Sequence, residues 1–357
     1  MTKLAAILLF LIFPFGQLLR FNLGNGITVH VNDLVVGMIG FMGIIRGIRL
    51  KDDIKLALIV WILAAGISLG LNFHLVGLLY LLRWVAYAGM YFFFRDFKDK
   101  NFLARGFLWA ILSVAVVGVG QYLLLPDTTF LAASDWDDHS FRLLSTFLDP
   151  GFTGIIVTAG LFFIIRFLFF NKFSILQFAI FQTALAFTYS RASYLAYLVG
   201  VTVVAISKRS AKLFLGLTLL FLISLTLLPR SYGESTNLGR ENSTWARINN
   251  WKHAVAVWQT APIFGVGFGN YQYYSEATLQ SHSKAGSDSS ILTILATTGI
   301  VGLTAYLGVL RGMWVVGRKS LLFKTCLIAV FIHSWFNNTL FYPWVMELMW
   351  LVLVFDS

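Results

Sequence analysis

One cysteine, Cys326, stands in the whole 357-residue chain, and it lies in an apolar run. Neither an internal disulfide nor a cysteine-based metal site is available to it. Charge is equally scarce. Only 12% of the residues are Asp, Glu, Lys or Arg, against about 25% in an ordinary soluble domain. That shortage excludes an ordinary soluble enzyme, and the 58% hydrophobic content excludes a disordered chain. Long repeats and low-complexity stretches are also missing, and the composition is not that of a fibrous protein.

Apolar runs near 20 residues recur from end to end. A helix rises about 1.5 Å per residue, so roughly 20 residues cross a hydrocarbon core of about 30 Å. The runs predict spans at 4–21, 27–45, 54–71, 73–94, 103–125, 149–170, 173–189, 192–207, 211–228, 288–310, 322–337 and 340–355. The expected fold is therefore all-α: a polytopic membrane bundle of about twelve helices, residues 1–357 forming one integral-membrane domain. Leu4–Phe13 follows Lys3 without a small-x-small cleavage site, which predicts an uncleaved first span. Gly66-x-x-x-Gly70 is a pattern that admits close helix packing.

The formal net charge of +11 is explained by basic loops on one side of a membrane, and no nucleic-acid partner is expected. With a cytoplasmic N-terminus, the outer segments hold eight of the 27 Lys and Arg, and Arg83 falls inside a span. This bias follows the positive-inside rule. It predicts cytoplasmic termini and two outer loops, a shorter one at 126–148 and a long one at 229–287. Long loops in compact proteins usually carry function. Within the long loop, Trp245, Ile248, Trp251 or Lys252, Val255 and Trp258 recur at helical spacing. Ser243 or Thr244 offers a start and Pro262 a stop, predicting an amphipathic surface helix near 244–260. Gly265, Gly267 and Gly269 then form a turn back to the bilayer. No strand–helix unit surrounds them, so they are not a dinucleotide fingerprint.

The outer half gathers Arg142, Asp149, Arg191, Arg240, Arg247, His282 and Asp288 beside apolar spans. Ionisable groups in such places tend to be paired or functional. Arg191 either snorkels to the interface or binds phosphate, whose oxygens match the guanidinium fork. Arg247 is either a solvated surface residue or a second phosphate ligand. Asp149 precedes a span and reads first as a helix cap. Asp288 reads equally as a cap or as a general base accepting a hydroxyl proton; His282 is the rival base. Asp135-Trp136-Asp137-Asp138 reads as a solvated acidic loop rather than a cation site. Mid-span ionisable groups, which a transporter would need, are few, with Asp33 and Arg83 the main ones.

Four segments, taken in order, resemble the O-antigen ligase and polymerase superfamily. Arg142-Leu-Leu-Ser-Thr-Phe147-Leu-Asp-Pro150 resembles its R-x-x-S/G-T-F-x-x-P segment. Thr188-Tyr-Ser-Arg191-Ala-Ser193 resembles its T-x-S-R turn. Arg247-Ile-Asn-Asn-Trp251 followed by Pro262-Ile-Phe-Gly265-Val-Gly267-Phe-Gly269-Asn270 resembles its R-x-x-x-W … P-x-x-G-x-G segment. Residues 289–302 resemble its last motif, ending on Gly299 and Gly302. The resemblance implies a bacterial inner-membrane glycosyltransferase with its active site on the outer face. The donor is then an undecaprenyl-pyrophosphate-linked glycan. The acceptor is a hydroxyl on a second glycan, for a polymerase, or on lipid A core, for a ligase.

Arg191 and Arg247 are then expected to meet the donor pyrophosphate together, with Arg142 and Arg240 as helpers. Asp288 or His282 takes the acceptor proton. Trp245, Trp251 and Tyr271 stack on sugars or anchor the loop at the interface. No cofactor or metal is implied. Asp288 stands where the ligase pattern has His, Ser289 where it has Asn, and Thr297 where it favours Glu. These departures incline the reading towards a polymerase.

Overall fold

The computed structural model describes residues 2–23, 27–49, 53–134, 136–137, 139–167, 172–227, 234–274 and 286–355. Among them are thirteen α-helices: α1 Thr2–Ile12, α2 Val31–Arg49, α3 Ile54–Leu71, α4 Leu75–Phe94, α5 Lys100–Leu124, α6 Pro150–Phe167, α7 Lys172–Phe187, α8 Arg191–Ser207, α9 Ala211–Leu227, α10 Asn242–Thr260, α11 Ser290–Gly317, α12 Leu321–His333 and α13 Pro343–Phe355. Each expected apolar run carries one helix, and α10 is the helix expected within the long loop. Five helical stretches are long and apolar enough to cross a membrane: Thr2–Leu19, α3, α4, α5 and α11. Large apolar side chains stay on the surface, among them Leu56 at 71% and Leu124 at 82% exposure. Water would penalise such a surface and hydrocarbon does not. The chain is a multi-pass helical membrane protein.

The first two expected spans differ from the observed elements in one respect. α1 ends at Ile12, a 3₁₀ segment follows at Phe13–Leu19, and β1 (Arg20–Asn22) pairs antiparallel with β2 (Thr28–His30). Gly16, at φ 53°, breaks the helix there. Chain that pure apolar patterning assigned to the two span ends is thus used for a short hairpin.

The chain divides into two compact units. The first comprises Met1–Leu19, Asp99–Arg240 and Ser320–His333; the second comprises Arg20–Lys98, Glu241–Lys319 and Ser334–Ser357. Within the first unit Phe13 meets Phe107 and Phe147 edge-on, at 4.9 and 6.0 Å between ring centres. Within the second, Trp61 packs edge-on against Trp84, Phe268 and Tyr306. Close helix approach there uses α2 and α4, where a Cβ at Gly40 or Gly43 would strike the α4 backbone. Gly66 and Gly70 face open space instead, so that pair is not the packing motif it resembles.

α10 begins two residues before the expected start, because Glu241 O accepts from Thr244 N and Trp245 N. It ends at Thr260, ahead of Pro262. Its buried residues are Ala254 and Val257, which join Val266, Tyr271 and Ala296 in a small core, with Trp258 and Leu292 packed against it. The helix is thereby fixed on α11.

Candidate functional site

In the first unit a cluster of side-chain and backbone hydrogen bonds gathers at the turn Thr188-Tyr189-Ser190 between α7 and α8. A helix leaves its last carbonyls without intrahelical donors. Here three consecutive carbonyls receive donors from one short segment. Leu143 N donates to Phe187 O at 2.8 Å, Arg142 Nε to Thr188 O at 2.9 Å and Arg142 Nη2 to Tyr189 O at 3.4 Å. A cation at a helix C-terminus also suits the helix dipole. Arg142, 7% exposed, is therefore the cap of α7. Arg240 Nη2 donates to the same Tyr189 carbonyl at 3.2 Å, while its Nη1 donates to Asn237 O at 2.9 Å and Ser235 O at 3.2 Å. Arg191 opens α8 and reaches Leu238 O and Arg240 O at 3.4 and 3.3 Å.

These contacts place three guanidinium groups around one turn, each donating to backbone carbonyls. Three arginine side chains are thus held close to the turn by backbone carbonyls. Its backbone is strained as well. Tyr189 lies at φ +48°, and Phe141, Ser145 and Leu148 in the flanking segment lie at +62°, +53° and +55°. Each such residue costs about 1–3 kcal/mol and persists only where surrounding contacts hold it. Asp149 accepts from Gly151 N and Phe152 N at 2.6 and 2.8 Å, the cap expected of it. His139 Nε2 lies 3.8 Å from the other oxygen of Asp149.

In the second unit, Arg247, Asn250 and Trp251 stand on α10. Asn250 Oδ1 accepts from Ser287 Oγ at 2.7 Å and from Asp288 N at 2.8 Å, which ties the segment before α11 to α10. The cap of α11 is Ser289, whose Oγ accepts from Leu292 N, not Asp288. The Asp288 carboxylate is half-buried. Burial, and secondly this carboxylate, push the Tyr271 phenol up to about 12. Tyr271 is 2% exposed and Trp245 59%; Trp251 lies 6.1 Å from the Phe336 ring. His282, Asp135 and Asp138 lie outside the described residues.

The glycine segment explains its own motif. α11 breaks at Gly299, φ 64°. The break frees carbonyls and amides, and residues 262–267 satisfy them. Val266 N and Gly267 N donate to Ala296 O and Thr297 O at 3.1 and 3.0 Å. Ile300 N and Val301 N donate to Pro262 O and Ile263 O at 3.0 and 3.2 Å. Gly265, Gly267 and Gly269 all have positive φ, which glycine adopts without the Cβ penalty.

Two buried polar groupings were not foreseen. In the second unit Asp33 accepts from Arg83 at 2.8 Å, His30 Nδ1 lies 2.9 Å away, and Tyr87 Oη donates at 3.0 Å. Asn32 joins this group to the fully buried Glu347 at 2.8 Å. Asp33 and Arg83 are thus a pair, the usual state of intramembrane charges. In the first unit the fully buried His333 lies 3.2 Å from Ser193. Separations of 315 and 140 residues carry no periodic signal.

Taken together, the structure is that of a helical membrane protein with an arginine-clamped, strained turn and a broken helix threaded by glycines. Residues 174–307 match the family model for O-antigen ligase, a stretch that takes in Arg191, Arg240, Arg247 and Asp288. The match supports the O-antigen ligase superfamily. Comparison with curated proteins finds no match.

Proposed function

We propose that the protein is a glycosyltransferase of the bacterial inner membrane, moving a glycan from an undecaprenyl-pyrophosphate donor to an acceptor hydroxyl on the outer face. The observation that carries this reading is the set of three guanidinium groups around the strained 188–191 turn, in a segment that matches the O-antigen ligase family. Arginine meets phosphate oxygens with paired, charge-assisted hydrogen bonds.

In the proposed reaction the acceptor oxygen attacks the anomeric carbon. The bond from that carbon to the pyrophosphate oxygen breaks, and its electron pair leaves with undecaprenyl pyrophosphate. Arg191 and Arg247 meet the charge that develops on the leaving group. Arg142 and Arg240 add to the field and hold the turn that carries Arg191. Asp288 takes the acceptor proton, with His282 the rival for that task. No metal is required for an already activated glycosyl pyrophosphate. Trp245 and Trp251 are offered as sugar or interface contacts.

The Asp at 288, in place of the ligase pattern's His, favours a polymerase joining lipid-linked repeats over a ligase acting on lipid A core. A deletion strain examined by glycan gel separates the two. A polymerase predicts loss of chain length with single-repeat products kept. Full-length polymer accumulating on the lipid carrier would make it a ligase. The proposed topology, twelve crossings with 126–148 and 229–287 outside, predicts opposite sides for reporters fused at 208–212 and within 232–242.

A further inference from the structure

We propose that His333 is a positioning residue for Arg191, acting through the hydroxyl of Ser193; this rests on the donor-phosphate role given to Arg191 above. Ser193 Oγ has three polar neighbours: Gly151 O at 3.1 Å, Ser190 Oγ at 2.9 Å and His333 Nε2 at 3.2 Å. A hydroxyl has one hydrogen and two lone pairs, and a carbonyl can only accept. All three contacts are satisfied in one arrangement. Ser193 donates to Gly151 O, Ser190 donates to Ser193, and His333 donates from Nε2–H to Ser193.

This hydroxyl joins three helices at one point. Gly151 is in the first turn of α6, His333 is the last residue of α12, and Ser193 is in the first turn of α8. Ser190 is the cap of α8, its Oγ accepting from Ser193 N at 3.3 Å. Arg191 lies between cap and hydroxyl, so the direction in which α8 presents it depends on where that hydroxyl is held. Ser193 and His333 are both 0% exposed, which removes water as a substitute for either. Space around the hydroxyl is reserved too: a Cβ at Gly154 would collide with it.

The test is a set of transfer rates with purified full-length protein and lipid-linked donor, each variant checked for folding by thermal unfolding in detergent. In His333→Gln the amide nitrogen replaces Nε2, and transfer is expected to stay within about twofold. His333→Asn is too short to reach Ser193, and it should lose about tenfold, the effect of one buried hydrogen bond. Ser193→Ala removes the relay oxygen without added volume and should lose the same; it stands in if the Asn variant does not fold. In an Arg191→Lys background both losses should shrink below about twofold, since coupled residues are non-additive. Equal losses in both backgrounds, or a Gln variant as poor as Asn, would overturn the proposal. Near-normal transfer by Arg191→Lys itself would overturn the donor reading on which it rests.

Discussion

Two turns in this molecule depart from ordinary backbone, and they do so by opposite means. The segment 262–269 of the second unit reaches positive φ at Gly265, Gly267 and Gly269, where no side chain is strained. The 188–190 turn of the first unit reaches positive φ at Tyr189, with Phe141, Ser145 and Leu148 in the same condition nearby. The glycine turn needs only backbone partners from the broken helix α11. The tyrosine turn needs Arg142 and Arg240 on its carbonyl. Glycine serves where geometry alone is wanted. At the tyrosine turn the strain is held from outside, by arginine side chains distant in sequence that reach its carbonyl.

The largest expected effect breaks the glycine turn. Gly265→Ala puts a Cβ into the backbone of Thr297 at φ +71°. Overpacking against backbone and a left-handed alanine together should cost about 3 kcal/mol, read as a lower unfolding temperature in detergent. An unchanged midpoint would mean the turn shifts freely. A smaller loss should follow Arg142→Lys. An ammonium cannot reproduce the fork that reaches Thr188 O and Tyr189 O. About 2 kcal/mol is expected, with transfer falling alongside stability because the Tyr189 turn relaxes. Transfer lost at full stability would instead make Arg142 a direct phosphate ligand.

The smallest effect sharpens the second unit alone. Tyr271 keeps its proton up to about 12, through burial first and the Asp288 carboxylate second. A phenol whose folded value is raised contributes stability that is full below the ordinary value of about 10 and is lost as pH rises through the folded one. Stability is therefore expected to fall as pH rises from about 10 to about 12. Asp288→Asn should move the tyrosinate absorbance of Tyr271 slightly towards lower pH. No movement would separate Asp288 from Tyr271.

The helical membrane architecture was legible because the bilayer imposes length and apolarity on each run. α10 was legible because tryptophans at helical spacing end on Pro262. The glycine turn announces itself, since glycine is the residue that positive φ requires. The tyrosine turn does not: nothing in Thr-Tyr-Ser marks a left-handed residue, and its stabilisers stand 47 and 51 positions away. Arg142 reads from sequence as a phosphate helper and proves to cap α7. Asp288 reads equally as cap or base, and Ser289 takes the cap. The hairpin Arg20–His30 escaped because its strands fall within apolar runs that continue into helices. Contacts such as His333 with Ser193 are set by tertiary packing, which composition and periodicity do not encode.

The central claim is that arginine forks stabilise the charge leaving with the lipid pyrophosphate. Its most direct measurement is the single-turnover transfer rate of Arg191→Lys and Arg247→Lys, purified from the membrane, with lipid-linked donor and acceptor. Loss of a transition-state donor of this kind costs about a hundred- to thousandfold in rate. The account predicts that loss for both variants, with folding retained. Near-normal rates for both would contradict it.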